Sequence, residues 1–188
     1  MSDILQIRHA VADDVPRIIG LINEAAEWLK TRGTDQWSRP WPDPTARNER
    51  IHRGIEDGRT WMAEDDGELV GTITCGSTGN KDLWTDEEQE EPALYISRLI
   101  VARKQAGRGI GANLIHWAGG TRDESAKWIR VDVWTTNLAL HRYYERQGFT
   151  HLRTCPFKDQ WEYPSAALFQ KPAAEADLVA AGNFKEVS

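Results

Sequence analysis

Leu99-Ile100-Val101-Ala102-Arg103-Lys104-Gln105-Ala106-Gly107-Arg108-Gly109-Ile110-Gly111 is the stretch on which the fold reading turns. An apolar strand pattern gives way to a glycine-rich turn, and the turn opens a helix in which Ile110 and Leu114 face a sheet. Glycines in such a turn let main-chain N–H groups approach a phosphate closely, and the helix N-terminus adds partial positive charge. The turn lacks the Lys-Ser/Thr of a P-loop, which argues against nucleotide triphosphate hydrolysis. Its G-x-G-x-G spacing, late in the chain, also differs from a dinucleotide fingerprint. Taken alone, the turn is equally a glycine-rich loop with no ligand.

Upstream, Ile4 to Arg8 alternates as a strand. Asp13-Asp14-Val15-Pro16 starts a helix, with Pro in the first turn. Apolar residues at Val15, Ile18, Ile19, Ile22, Ala26 and Leu29 follow a 3.6-residue period, and Gly33 closes the helix. Thr45 to Glu56 is a second helix. Arg59 to Glu64 and Glu68 to Cys75 form a hairpin around Asp66-Gly67. Ala93 to Val101 is a strand, and Gly109 to about Gly119 is the helix after the turn. Trp128 to Trp134 is a strand, Asn137 to Gln147 a helix stopped by Gly148. Phe149 to Arg153 and Ser165 to Phe169 are the last strands. The order βααβββαβαββ predicts one mixed α/β domain over residues 1–172. Residues 173–188 form an Ala-rich tail, a loose helix or disordered.

The downstream run Asn137-Leu138-Ala139-Leu140-His141-Arg142-Tyr143-Tyr144-Glu145-Arg146-Gln147-Gly148-Phe149 decides between ligand and empty loop. With the Leu99–Val101 strand end and the glycine turn, it resembles the GCN5-related N-acetyltransferase (GNAT) superfamily. In that family a Leu-x-Val strand precedes R/Q-x-x-G-x-G/A, and a strand, an Asn-containing turn and a helix with Tyr then Gly-Phe follow. The resemblance implies a central, mostly antiparallel, splayed sheet flanked by helices, and an acetyl-CoA cofactor. It implies cofactor contacts from Leu99, Ile100 and Val101, from Gln105, Ala106, Gly107, Arg108, Gly109, Ile110, Gly111 and Ala112, and from Asn137 and Tyr144. One departure stands out: the first turn position, usually Arg or Gln, is Ala106. Side-chain contacts to the pyrophosphate then fall to Arg103, Lys104 or Arg108.

The resemblance also implies catalytic roles. Tyr144, seven residues after Asn137, matches the family's general acid; Tyr143 takes a core slot. A phenol near pKa ~10 can protonate a thiolate whose acid lies near ~8.5. The strand position that often carries a Glu base is Ser97 here, so Asp132 is the candidate base. The bland alternative pairs Asp132 with Arg130. A carboxylate near ~3.9 taking a proton from an alkylammonium near ~10 faces roughly 8 kcal/mol, so Asp132 needs a raised pKa or only positions the amine.

The net charge of −6 argues against nucleic acid, which wants clustered Lys and Arg. No apolar run reaches membrane-spanning length, and no leader pattern is visible, so a cytoplasmic enzyme with no membrane partner is expected. Cys75 and Cys155, the only cysteines, form neither a disulfide framework nor a metal motif, and no metal is expected. Lys81 to Pro92 holds six acids and one base; it reads as a solvated loop or as an acidic rim that draws a cation. Trp37, Trp41 and Trp84 lie in polar, Pro-rich segments and can wall an acceptor pocket with Asp82, Ser97, Asp132 and Trp134. These features favour acetyl transfer to a primary amine of a small cationic acceptor, aminoglycoside-like antibiotics first, which would make the chain a resistance enzyme. A protein N-terminus, a polyamine, an amino acid, a non-catalytic acyl-CoA-binding module and a nucleotide-binding regulator stay open. Family habit points to a homodimer.

Overall fold

The computed structural model describes residues 4–122, 124–156 and 164–187. The elements are β1 (Leu5–His9), α1 (Val15–Lys30), α2 (Pro44–Glu56), β2 (Thr60–Asp65), β3 (Glu68–Gly76), α3 (Asp86–Glu90), β4 (Ala93–Val101), α4 (Ile110–Thr121), β5 (Trp128–Val133), α5 (Leu138–Arg146), β6 (Thr150–Thr154), β7 (Ala167–Pro172), α6 (Leu178–Ala181) and β8 (Phe184–Glu186). They build one eight-stranded sheet in the order β6-β7-β5-β4-β3-β2-β1-β8. Among the described residues, only the β4–β5 and β1–β8 pairs are parallel. The mixed α/β class and the mostly antiparallel sheet agree with the sequence reading.

Helices cover both faces of the sheet. On one face α1 buries Val15, Ile18, Leu21 and Ile22 with Ile51 of α2 against Met62 and Ile100. On the other, α4 buries Ile110, Leu114, Ile115 and Trp117 against Trp61, Ala63 and Ile73. Trp61 and Met62, adjacent in β2, thus serve opposite faces, as a period of two requires. At the hairpin tip Asp66 and Gly67 have φ of 48° and 80°, the left-handed pair that a two-residue turn demands.

β4 carries the irregularity that creates the site. Its register with β3 runs Thr72↔Ile100 and then Thr74↔Ser97, so Arg98 and Leu99 stand opposite Ile73 alone. This is a bulge, and Arg98 sits in it at φ 46°. One extra residue reverses which side chains face which layer. Before the bulge Leu94 and Ile96 join the α4 core; after it Leu99 and Val101 do, while Ile100 and Ala102 join the α1–α2 core. Meanwhile β4 pairs with β5 only from Ala93 to Tyr95. Past Tyr95 the two strands part.

Two segments differ from the sequence reading. The acidic run contains α3, whose N-terminus is a capping box of Thr85 and Glu88. Residues 173–187 are ordered structure: Ala173, Ala181 and Phe184 enter the α4 core, and β8 extends the sheet beside β1. The tail reads as a loose helix or disorder, and α6 is such a short helix; β8 goes unread because a strand of three residues is too short to show a period, and Ser188 lies outside the described residues.

A charge network ties the start of α1 to the sheet. Buried Asp14 accepts from Arg8 at 2.7 Å and from Arg17 at 3.1 Å, and both arginines also reach Glu64 at 2.8 Å. The Arg8 guanidinium holds the Asp14 carboxyl down at about 2. A depressed carboxylate stabilises the fold above its unfolded pKa, and that stability is lost as pH falls through the folded value. The shift corresponds to about 2 kcal/mol. Asp14→Asn is expected to lower Tm by roughly 4–8 °C at pH 7, with the gap to the parent narrowing between about pH 4 and pH 2. Denaturation curves across that range check this; a gap independent of pH would assign the loss to packing instead.

Candidate active site

The parting of β4 and β5 opens a cavity of about 1120 Å³, and residues from α1, the α1–α2 loop, α2, β4, α4, β5 and α5 line it. Its walls include Leu99, Ile100 and Val101 of β4, whose edge toward β5 has no ladder partner beyond Tyr95. They include Gln105, Ala106, Gly107, Gly109, Ile110, Gly111 and Ala112 of the turn and helix start. Gly107 and Gly109 take φ of 87° and 74°, where a side chain is strained. Gly109 is the N-cap of α4 and supplies no side-chain cap, unlike Asp43, Thr85 and Asn137, which cap α2, α3 and α5. The first amides of α4 are thus offered to the cavity as an anion site. A Cβ on Gly111 would lie 2.8 Å from the Tyr143 hydroxyl, so that glycine lets the Tyr143 ring lie across the helix start.

Asp132 of β5 and Tyr144 of α5 line the same cavity. Tyr144 is buried, edge-on to Phe149 and Tyr143. Burial, then Tyr143, then the Asp132 charge raise its phenol above the ordinary tyrosine range. Burial also pushes Tyr143 up to about 12. Arg130, the bland partner for Asp132, turns elsewhere: its guanidinium donates to Glu91 at 3.0 Å, to the Tyr95 hydroxyl at 2.9 Å and to the Glu88 carbonyl.

The α1–α2 loop straps the far side. The Asp35 carboxylate accepts from the Trp134 indole at 2.9 Å and the Thr136 hydroxyl at 2.6 Å, which lowers its pKa. Asn137 accepts from the Leu140 amide at 3.0 Å and donates to Gln36 at 2.6 Å. It is therefore both helix cap and strap anchor on the cavity wall.

Several expected positions need correction. Trp84 does not wall the cavity: it is buried with Tyr95 and Leu168 in a third cluster, with the Arg130 guanidinium 5.2 Å from its ring. Asp82 is exposed and outside the cavity lining. The acidic segment contributes no residue to the described cavity lining, and two of its acids are engaged elsewhere, Glu88 with Arg153 at 2.6 Å and Glu91 with Arg130 and Lys127. Arg108 and Lys104 also stay outside the lining, pairing with Asp65 and Glu68. Arg103 does line it, 3.8 Å over the Trp28 ring. Trp37, Trp41, Ser97 and Trp134 lie on the wall as expected. Sequence reasoning missed Trp28, Gln36, Arg50 and Arg98. Their positions depend on the strap and the bulge, which have no local pattern.

With this geometry in place, comparison with known proteins is informative. Residues 22–149 match the acetyltransferase (GNAT) family. Uncharacterized N-acetyltransferase YesJ of Bacillus subtilis (strain 168) is 35% identical over 147 residues, covering 74% of this chain and 78% of that protein. A GNAT-family acetyltransferase structure from Listeria monocytogenes 4b F2365 is 27% identical with a TM-score of 0.66, covering 89% of this chain and 94% of its own. The PaiA N-acetyltransferase of Thermoplasma acidophilum, solved in complex with coenzyme A, shares the fold at 17% identity and a TM-score of 0.67, over 89% of this chain and 98% of that one. The chain belongs to the GNAT acetyltransferase family, and its cofactor is acetyl-CoA.

The residues present fit that cofactor. An uncapped helix N-terminus suits a pyrophosphate, and a strand edge without a ladder partner suits the amides of a pantetheine arm. Gly109→Asp places a carboxylate at that N-terminus, in a left-handed backbone that Asp tolerates better than most residues. Its expected effect is loss of acetyl-CoA binding by about 100-fold or more with the circular dichroism spectrum retained. Calorimetry checks it; unchanged affinity would mean the carrier binds elsewhere.

Among the described residues no helix is long and apolar enough to cross a membrane.

Proposed function

We propose that the chain transfers an acetyl group from acetyl-CoA directly to a primary amine within one ternary complex, with Asp132 positioning the amine, which loses its proton to water, and Tyr144 serving as the proton donor to the departing thiolate. The observation that carries this reading is the convergence of the two side chains on one cavity, close enough for the Asp132 charge to act on the Tyr144 phenol. Bound acetyl-CoA would supply an activated thioester carbonyl. Main-chain groups of Leu99 and Val101 would hold the pantetheine arm, and those of Gly107 to Ala112 the pyrophosphate.

The raised phenol stays protonated through neutral and mildly alkaline pH, but the same rise makes it a weaker donor, so transfer to the departing thiolate is uphill. A carboxylate at Asp132 attracts an ammonium group and orients it; the amine that forms on loss of a proton is the nucleophile. A covalent route through sulfur has no support here. Cys75 is buried in the α4 core with its thiol pushed up to about 12, and Cys155 packs beside the Trp84 cluster. These free thiols fit a reducing, cytoplasmic setting.

The reading of a small cationic acceptor, aminoglycosides first, leaned on the acidic run Lys81–Pro92, the pocket tryptophans and Asp132. The run and Trp84 lie outside the described cavity lining, so Trp37, Trp41 and Asp132 are what still support it. An amine panel with free-thiol readout, followed by mass spectrometry for one added acetyl group, tests the transfer itself.

Tyr144→Phe is expected to lower kcat about 100-fold or more with acetyl-CoA affinity nearly unchanged; equal turnover would remove its acid role. Asp132→Asn is expected to cut kcat/KM for amines while Tm holds, and a fall in Tm alone would return Asp132 to a structural part. In the parent, kcat should show no alkaline decline below about pH 10, because the phenol titrates above that.

A further inference from the structure

We infer that the Tyr143 hydroxyl binds the diphosphate of the carrier, as a side-chain donor beside the first amides of α4. This rests on the placement of the carrier at the glycine turn. A Cβ is two bonds from its own amide nitrogen, and a Cβ on Gly111 would lie 2.8 Å from that hydroxyl. The hydroxyl therefore stands next to the Gly111 N–H, the second amide of a helix that begins without a side-chain cap. An oxygen that accepts from this amide comes within reach of the phenol. Tyr143 and Gly111 line the same cavity. No described residue is a hydrogen-bond partner of the Tyr143 hydroxyl, so its proton is available to a ligand.

The turn itself is short of such donors. Its first position, where the family carries Arg or Gln, is Ala106. Arg108 pairs with Asp65 and Gln105, and Lys104 with Glu68; both stay outside the lining. Arg103 lines the cavity, but its guanidinium is laid over the Trp28 ring at 3.8 Å. α5 supplies what is missing, with Tyr143 and, one turn on, Arg146, both on the cavity wall. Burial raises the Tyr143 phenol to about 12, against the opposing pull of Arg146, so the group is a donor and not an anion at neutral pH. A tyrosine hydroxyl is an ordinary partner for phosphate oxygens, and a charge-assisted bond of this kind is roughly twice as strong as a neutral one.

Ring and hydroxyl have separable parts. The ring packs edge-on to Tyr144, 5.5 Å between centroids, at the margin of the α4 core. Phe would serve that packing equally. The hydroxyl instead constrains its neighbour. Gly111 lies inside α4 without a positive φ, where Ala is the better helix former, and the family pattern allows Gly or Ala there. The next nearest side chain to the added Cβ, Val101 at 3.6 Å, is in ordinary contact. The Tyr143 hydroxyl is thus what reserves position 111 for glycine in this chain, and the pair keeps a phenol beside the helix start.

Calorimetry on the full-length protein tests this with two probes, coenzyme A and 3′-dephospho-coenzyme A, which share the diphosphate. Tyr143→Phe keeps the ring and is expected to weaken both by the same factor, about tenfold or more, as loss of a hydrogen bond to a charged group does. Gly111→Ala pushes the hydroxyl aside. It is expected to weaken both probes similarly in the parent, yet to change affinity by less than about threefold in the Tyr143→Phe background. Unchanged affinity in Tyr143→Phe would overturn the inference. So would a loss confined to coenzyme A, which would move the hydroxyl to the 3′-phosphate, or losses from the two substitutions that multiply, which would trace them to packing. Gly109→Asp keeps the hydroxyl's part distinct from the carrier's placement. If it leaves affinity intact, the placement at the turn fails; if it abolishes binding while Tyr143→Phe is neutral, only the part given to the hydroxyl is removed.

Discussion

The separation of β4 from β5 after Tyr95 is the constraint on which the site depends. Two parallel strands that paired along their full length would satisfy each other's main-chain groups and leave no room between them. Here the ladder stops after three residue pairs, and the bulge at Arg98–Leu99 turns the rest of β4 toward new neighbours. Buried polar main chain must find partners, so an exposed strand edge inside a cavity is a binding surface. The same bulge sends Leu99 and Val101 to the α4 core and Ile100 to the α1–α2 core, which fixes both helical layers around the opening.

Different elements then bring different chemistry to the cavity. α4 begins there on a glycine with no side-chain cap, and β5 and α5 contribute Asp132 and Tyr144. The α1–α2 strap closes the side through Asp35 and Gln36, which hold Trp134, Thr136 and Asn137. Asn137 shows how one residue can serve both levels: the residue that caps α5 also anchors the strap.

Much of this is legible in the sequence where the signal is local. The glycine turn, the Asp66-Gly67 hairpin, the period of α1 and the spacing from Asn137 to Tyr144 each depend on a few neighbouring residues, and each appears in the structure within a residue or two. Contacts across about a hundred residues are not legible in this way. Asp35 and Gln36 look like loop polar residues until their partners on the β5–α5 turn are seen. Trp84 reads as a pocket wall because its segment is polar, and only the sheet shows that Arg130 and Tyr95 enclose it. Glu88 and Glu91 of Lys81–Pro92 read as part of a rim because their partners, Arg153, Arg130 and Lys127, lie far along the chain. β8 escapes notice because three residues carry no period, and the bulge because an insertion has no sequence mark when the residue there is Arg.

Amide hydrogen exchange with and without coenzyme A tests the central claim most directly. Slowed exchange at Leu99, Val101 and the amides from Gly107 to Ala112, with β8 and α6 unchanged, is the outcome that the open strand edge and the uncapped helix require. Protection confined to other segments, or none at all, would contradict it.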